Sequence, residues 1–239
     1  MKVAILCGGK GERLKEHTET IPKPLVEIGN KPILWHIMKI YSYHGFNSFI
    51  LCLGYKGEKI KEYFTQNNRE NWNIEFVDTG ADTNTGGRIK RIEKHIGAED
   101  FLATYGDGVS DINAKDLVAF HKKRGKVATV TCINFRSNFG IMKIGKNGAV
   151  SGFNEKPFVN MWINGGFFVF SKRIFEYLEE DSVLEQEPMK NLAEDGQLVA
   201  YKHKGFWGCM DTYKDTRALN EMHDNGRAKW MVWQNVEAK

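Results

Sequence analysis

The opening stretch constrains the fold more than any other: residues 2–7, KVAILC, form a short, almost unbroken apolar run that stops at Gly8-Gly9. A run of this kind reads as a strand buried on both faces, the situation inside a parallel sheet covered by helices. The alternation continues downstream. Leu34, Ile37, Met38 and Tyr41 mark one apolar face of a helix predicted from Ile33 to His44, with Gly45 as its stop. A second buried strand is predicted over Ser48 to Cys52, then a helix from Gly57 to Phe64, a strand from Asn73 to Val77, a helix from Arg88 to Ile96 and a strand from Phe101 to Thr104. Strands and helices in this order predict an α/β fold, Rossmann-like, with a parallel sheet flanked by helices.

Beyond Asp111 the pattern becomes mixed. A helix from Ala114 to Arg124 precedes a strand over Ala128 to Ile133. Short strands over Gly140 to Ile144 and Val150 to Asn154 flank a hairpin turn at Asn147-Gly148. Gly165 to Phe170 reads as another buried strand, Lys172 to Glu179 and Glu187 to Glu194 as helices, Leu198 to His203 as a strand and Thr212 to His223 as a final helix. No repeat or Pro/Gly/Ser linker divides the chain. The expectation is therefore one domain over 1–239 on a mixed, mostly parallel sheet, with a nucleotide-binding half over about 1–111 and a second half over about 112–239.

Composition narrows the function classes. The 34 Lys and Arg exceed the 30 Asp and Glu by four, and no long run of like charge suggests a nucleic-acid-binding tail. Cys7, Cys52, Cys132 and Cys209 form neither a CxxC pair nor a zinc-type cluster with histidine. No stretch reaches membrane-spanning length, and a reducing cytoplasm is the expected location. Trp230 and Trp233 read as exposed residues near the end of the chain, compatible with a partner surface.

Two constellations carry chemistry. The first is Leu6-Cys7-Gly8-Gly9-Lys10-Gly11-Glu12-Arg13, followed by Pro22-Lys23-Pro24. Glycines leaving a first strand let backbone N–H groups close on a polyphosphate, and Arg13 and Lys23 add a planar fork and a point charge. The spacing G-G-x-G-x-R is neither the G-x-G-x-x-G of dinucleotide sites nor the Walker pattern, so hydride transfer loses ground. An ordinary glycine turn is the alternative for this segment alone. The second constellation is Tyr105-Gly106-Asp107-Gly108 at a strand's carboxyl end, with Met210-Asp211-Thr212 before the last helix. Asp107 and Asp211 together would complete a Mg²⁺ site shared with substrate phosphates, whereas Asp-Gly alone is also a common turn.

The set LCGGKGERL…PKPL, GYKG, DTG…TGGRIKR, YGDG, NEKP, INGGFFV, EQEP and GFWGCMDT, in this order and covering nearly the whole chain, resembles the sugar-phosphate nucleotidyltransferase family. It is most like the glucose-1-phosphate cytidylyltransferase branch. The resemblance implies a GT-A-like fold. It also implies that Leu6, Gly8, Gly9, Gly11 and Glu12 wrap the nucleotide, that Arg13 and Lys23 neutralise the triphosphate, and that Gly54, Gly87 and Arg88 lie near pyrimidine and ribose. Asp107 and Asp211 are implied to hold Mg²⁺. Tyr105, Glu155, Lys156, Asn164, Gly165 and Trp207 are implied on the acceptor side, with Lys156 joining Arg13 and Lys23 in catalysis. Singly, each keeps an ordinary reading: Lys156 as a solvated lysine before Pro157, Asn164 as a turn former, Arg88 as a helix-surface cation. Two departures stand out, the carboxylate of Glu12 in the phosphate loop and a shortened stretch between Tyr63 and Asp78.

The expected reaction is attack by a sugar 1-phosphate oxygen on the α-phosphorus of CTP, giving a CDP-sugar, with glucose 1-phosphate as acceptor, and pyrophosphate. None of the seven histidines is assigned acid/base work, because the phosphate nucleophile is already deprotonated near neutral pH. Another acceptor, or UTP or dTTP, remains open, as does a catalytically silent nucleotide-sugar-binding subunit on the same fold. Small-molecule substrates and other copies of the chain are the expected partners, and neither nucleic acid nor membrane is.

Overall fold

A computed structural model describes residues 1–11, 20–137 and 139–236. Its main sheet has seven strands in the order β12-β8-β11-β6-β1-β4-β5. These are β1 (Val3–Leu6), β4 (Ser48–Leu53), β5 (Asn73–Asp78), β6 (Phe101–Tyr105), β8 (Ala128–Arg136), β11 (Phe158–Phe170) and β12 (Leu198–His203). Adjacent pairs are parallel except where β11 meets β6 and β8. The architecture is thus a mixed, mostly parallel sheet that draws strands from both halves of the sequence. Three two-stranded ribbons complete the β-structure among the described residues: β2 (Glu27–Ile28) with β3 (Lys31–Pro32), β9 (Ile141–Ile144) with β10 (Val150–Asn154), and β7 (Gly108–Ser110) with β13 (Trp207–Cys209).

Period-two alternation sends successive residues of each strand to opposite faces, and both faces are buried. Val3 and Ile5 join one apolar cluster with Leu34, Ile37, Met38 and Tyr41 of α1 (Ile33–Tyr43), whereas Ala4 joins a second cluster with Ile89 of α3 (Thr85–Arg91). Helices α2 (Gly57–Asn67) and α4 (Ala114–Arg124) contribute Ile60 and Leu117 to the first cluster, and α5 (Glu187–Glu194) contributes Leu192 to the second. Side-chain caps start two of the described helices, α4 and α6 (Tyr213–Asp224). Asn113 accepts from the Lys115 and Asp116 amides at 3.0 and 3.3 Å, and Gly125 closes α4 at φ +59. Thr212 and Asp215 form a reciprocal capping box at the start of α6.

Three expectations change. Helix α3 begins at Thr85, three residues before Arg88, and a 3-10 turn over Glu93–His95 replaces its end. Gly86 and Gly87 argue against a helix by propensity, but here they allow close packing: a Cβ on Gly87 would lie 2.2 Å from the Glu180 carbonyl oxygen. Residues 172–179 form a 3-10 turn over Lys172–Tyr177 instead of an α-helix, and β11 starts at Phe158, well before Gly165.

A further correction concerns the two late tryptophans. Trp230 is fully buried and Trp233 half-buried, with the Trp233 ring 5.7 Å from that of Trp35. Burial is tolerable because the Trp230 indole N–H donates to His36 Nδ1 at 3.3 Å. His36 Nδ1 must then be the acceptor, which leaves Nε2 to donate to the Ile28 carbonyl at 3.0 Å. Burial pushes the His36 pKa down from 6.5 to about 4, so the folded chain keeps a neutral imidazole.

The unfolded chain takes up that proton first, so the stability His36 contributes is intact above pH 6.5 and is lost as pH falls from 6.5 towards about 4. We expect His36→Gln to cost about 1–3 kcal/mol at pH 7.5, through poorer pairing of Trp230 and Ile28, with the deficit shrinking towards pH 4.5. Urea unfolding at several pH values measures it; a deficit that stays constant over this interval would contradict a buried neutral imidazole.

Candidate functional site

The carboxyl ends of β1 and β6 lie side by side, with Leu6 opposite Tyr105. A cavity of about 570 Å³ opens there. Leu6, Gly8, Gly9 and Gly11 line one wall, the segment from Ala81 to Thr85 another, and Lys23, Tyr105, Asp107 and Asp211 close the side nearest β6. Lys10 of the glycine loop pairs with Asp82 of the facing wall at 2.7 Å, which links the two rims.

Arg88 forms the floor. It is only 4% exposed, and its guanidinium donates to the carbonyls of Gly8 (3.0 Å), Leu53 (3.2 Å), Gly80 (2.7 Å) and Ala81 (3.3 Å) and to Thr79 Oγ1 (2.8 Å). A buried cation with so many acceptors is chiefly a brace: it ties the glycine loop to the ends of β4 and β5. The glycines follow from this. A Cβ on Gly8 would sit 2.1 Å from Arg88 Nη1, and one on Gly54 would sit 2.8 Å from Gly8 Cα. Gly54 and Gly87 therefore stand behind the cavity wall, and neither lines it.

The two aspartates are brought together by the β7/β13 ribbon. Cys209 pairs with Gly108 in antiparallel register, so Asp107, just before β7, meets the residues just after β13, and the Met210 amide donates to the Asp107 carbonyl at 2.9 Å. Asp211 precedes the capped start of α6. Lys23 comes from a 3-10 turn held by Pro22 and Pro24. Its ammonium donates to Asp107 Oδ2 at 2.6 Å and Asp211 Oδ1 at 2.8 Å. Burial works to lower the Lys23 pKa, but the charge and hydrogen bond of Asp107, with those of Asp211, raise it above the usual lysine value.

Ligand atoms of Asp107, Asp211 and Cys209 lie within 4.8 Å of one another. Two carboxylates suit a hard cation such as Mg²⁺. The Cys209 thiol does not, since burial and then the charges of Asp107 and Asp211 push its pKa far up and keep it protonated. Cys7 and Cys52 are likewise held as thiols by burial, Cys52 being pushed up to about 12. The cavity thus has hard oxygen ligands and no activated sulfur nucleophile at these positions.

On the side facing β11, a polar chain runs from α3 to the Asn164-Gly165-Gly166 segment. Thr85 Oγ1 donates to Glu185 at 2.6 Å, the Tyr105 hydroxyl donates to the same carboxylate, and Asn164 Nδ2 donates to the Tyr105 oxygen at 3.3 Å. Asn164 Oδ1 accepts from the Gly166 amide at 2.8 Å, and the Trp207 indole donates to the Gly165 carbonyl at 2.7 Å. Burial and then Glu185 push the Tyr105 pKa up, so its hydroxyl remains a donor.

The sequence reading assigned no role to Glu185, Thr85, Asp82 or Lys10. The EQEP motif and the loop lysine were the available signals. Glu155 and Lys156 lie elsewhere: their side chains are 61% and 54% exposed, 3.7 Å apart, after the separate β9/β10 ribbon, and neither lines the cavity. Lys156 also has φ +46, an uncommon backbone for lysine. Glu12 and Arg13 lie outside the described residues.

Comparison with known proteins agrees with this geometry. The nucleotidyl transferase family model matches residues 2–222. A Bacillus subtilis (strain 168) protein named as a probable glucose-1-phosphate cytidylyltransferase is 49% identical over 98% of this chain and 100% of its own. The glucose-1-phosphate cytidylyltransferase of Salmonella typhimurium is 45% identical over the same shares. Among solved structures, HddC from Yersinia pseudotuberculosis complexed with GMP-PN superposes with a TM-score of 0.73 at 26% identity, over 93% of this chain and 99% of that one. A cavity built by a glycine loop, two aspartates and a lysine, inside a chain matched almost end to end, has one reading: the chain belongs to the nucleotidyl transferase family.

Proposed function

We infer that the chain is a glucose-1-phosphate cytidylyltransferase, converting CTP and glucose 1-phosphate into CDP-glucose and pyrophosphate. The reaction class rests on Lys23, Asp107 and Asp211 converging beside the amides of the first loop. The choice of base and acceptor rests on likeness to cytidylyltransferases along the whole chain.

A phosphate oxygen of the sugar 1-phosphate forms the new bond to the α-phosphorus, and the bond from that phosphorus to the bridging oxygen breaks, so that pyrophosphate leaves with the electron pair. Both reactants are anions, and the protein's work is to hold them in line and neutralise them. Gly8, Gly9 and Gly11 offer backbone N–H groups to the triphosphate, on a floor held by Arg88. Lys23 supplies a movable positive charge. Mg²⁺, held by Asp107 and Asp211, supplies further neutralisation when bound. Tyr105, Asn164, Gly165 and Trp207 form the acceptor side, with Glu185 fixing the Tyr105 hydroxyl. Arg13 and Lys156 are proposed to add further positive charge to the two anionic substrates.

We further propose that the enzyme is a homo-oligomer working in a reducing cytoplasm. Among the described residues no helix is long and apolar enough to cross a membrane. The β9/β10 ribbon and its flanks expose Phe139 (79%), Ile144 (66%), Phe153 (59%) and Phe158 (73%), a concentration of apolar surface typical of association sites.

Three outcomes are expected. In a panel of triphosphates crossed with sugar 1-phosphates, pyrophosphate release is fastest with CTP and glucose 1-phosphate; faster turnover with UTP or dTTP rejects the base assignment. Asp107→Asn lowers kcat by about 10²–10³-fold or more, and a folded variant with unchanged turnover rejects the metal role. Light scattering gives a mass several times that of the monomer, and Phe153→Asp with Phe158→Asp shifts it towards the monomer; a wild-type protein that runs as a monomer removes the oligomer.

A further inference from the structure

Lys23 occupies an unusual position for a phosphate-binding lysine. Its ammonium lies between the two carboxylates, 2.6 Å from Asp107 Oδ2 and 2.8 Å from Asp211 Oδ1. The Lys23 side chain is 13% exposed, against 26% and 32% for the two aspartates, so it is the most enclosed of the three. An ion shared by those two carboxylates would sit between them, where the ammonium now sits. Two cations cannot occupy one such point.

We propose that Lys23 is a built-in competitor for the cation site: its ammonium and a divalent ion are alternative occupants of the Asp107–Asp211 clamp. This rests on the proposed metal role of the two aspartates and adds that the lysine must leave for the ion to enter. The cavity gives it somewhere to go, because Lys23 lines the same space as Gly8, Gly9 and Gly11, where a polyphosphate offers a second set of anionic oxygens. Pro22 and Pro24 restrict φ on either side of Lys23, and the flexible four-carbon stem lets the ammonium swing. Lysine suits this part better than arginine, being a compact charge on a flexible stem and not a fixed fork. Phosphates that attract the lysine open the clamp, and an ion in the clamp frees the lysine for the phosphates. The two ligands therefore favour each other, and by linkage the effect is reciprocal.

Mn²⁺ binding without nucleotide tests this, measured from the electron paramagnetic resonance signal of free Mn²⁺. Lys23→Met and Lys23→Gln are both used, the first keeping the aliphatic stem, with folding checked by circular dichroism. Lys10→Met serves as a charge control, since Lys10 lines the cavity but pairs with Asp82. Both Lys23 variants are expected to bind Mn²⁺ at least about tenfold more tightly than wild type, and Lys10→Met within about threefold of it. Unchanged or weaker binding in the Lys23 variants overturns the proposal, as does equal tightening in Lys10→Met, which would reveal a general charge effect. Asp107→Asn separates the two levels of the argument: if Mn²⁺ binding is insensitive to it, the metal role itself fails and the competition with it.

Discussion

A buried guanidinium with no carboxylate partner among the described residues is costly unless its N–H groups find other acceptors. Arg88 finds them in four backbone carbonyls and one hydroxyl, drawn from the glycine loop, the end of β4 and the segment after β5. These three pieces of chain are remote in sequence, and Arg88 adds side-chain ties to the backbone bonds that join them, such as Tyr55 N–H to the Gly8 carbonyl and Thr79 N–H to the Leu53 carbonyl. The hydrogen bonds convert the carboxyl edge of the sheet into a cavity floor. The glycine loop can then offer its amides to an anion without first being ordered by it.

On this floor three charged side chains are mounted by short, rigid devices. A ribbon of three residues per strand aligns Asp107 with Asp211, a capping box fixes the chain just after Asp211, and a proline-framed turn presents Lys23. Each device fixes a backbone and leaves one side chain to act. The side facing β11 is built differently, as a run of hydrogen bonds from Thr85 through Glu185 and Tyr105 to Asn164. That chain couples the cavity wall at Thr85 to strand β11.

Much of this was legible in the residues. The buried strands at 2–7, 48–52 and 101–104 announced themselves as apolar runs, and α4, α5 and β12 fall at their expected bounds, with Asn113 and Gly125 capping α4 and Pro188 standing in the first turn of α5. Asp107 and Asp211 could be paired on sequence grounds, since both stand near glycines or a helix cap at strand ends. What escaped notice depends on contacts across the chain. The burial of Arg88 requires Gly8, Leu53 and Thr79 to surround it, and nothing in TGGRIKR states that. Trp230 is covered by residues far from it in the sequence, His36 among them. Residues 158–164 lack the unbroken apolar character of 165–170, so the long start of β11 resembled a loop. Lys156 had the right motif, yet its ribbon stands apart from the cavity.

The contact between Gly8, Gly54 and Arg88 leaves no spare volume: even one methyl group at either glycine would overlap neighbouring atoms. A descendant of this sequence that came to prefer a different base could not do so by remodelling that layer. Its adaptive freedom lies in the opposite rim, from Ala81 to Thr85, where the lining is made by small and polar side chains, so diversification among such enzymes should concentrate there while the glycine layer stays fixed.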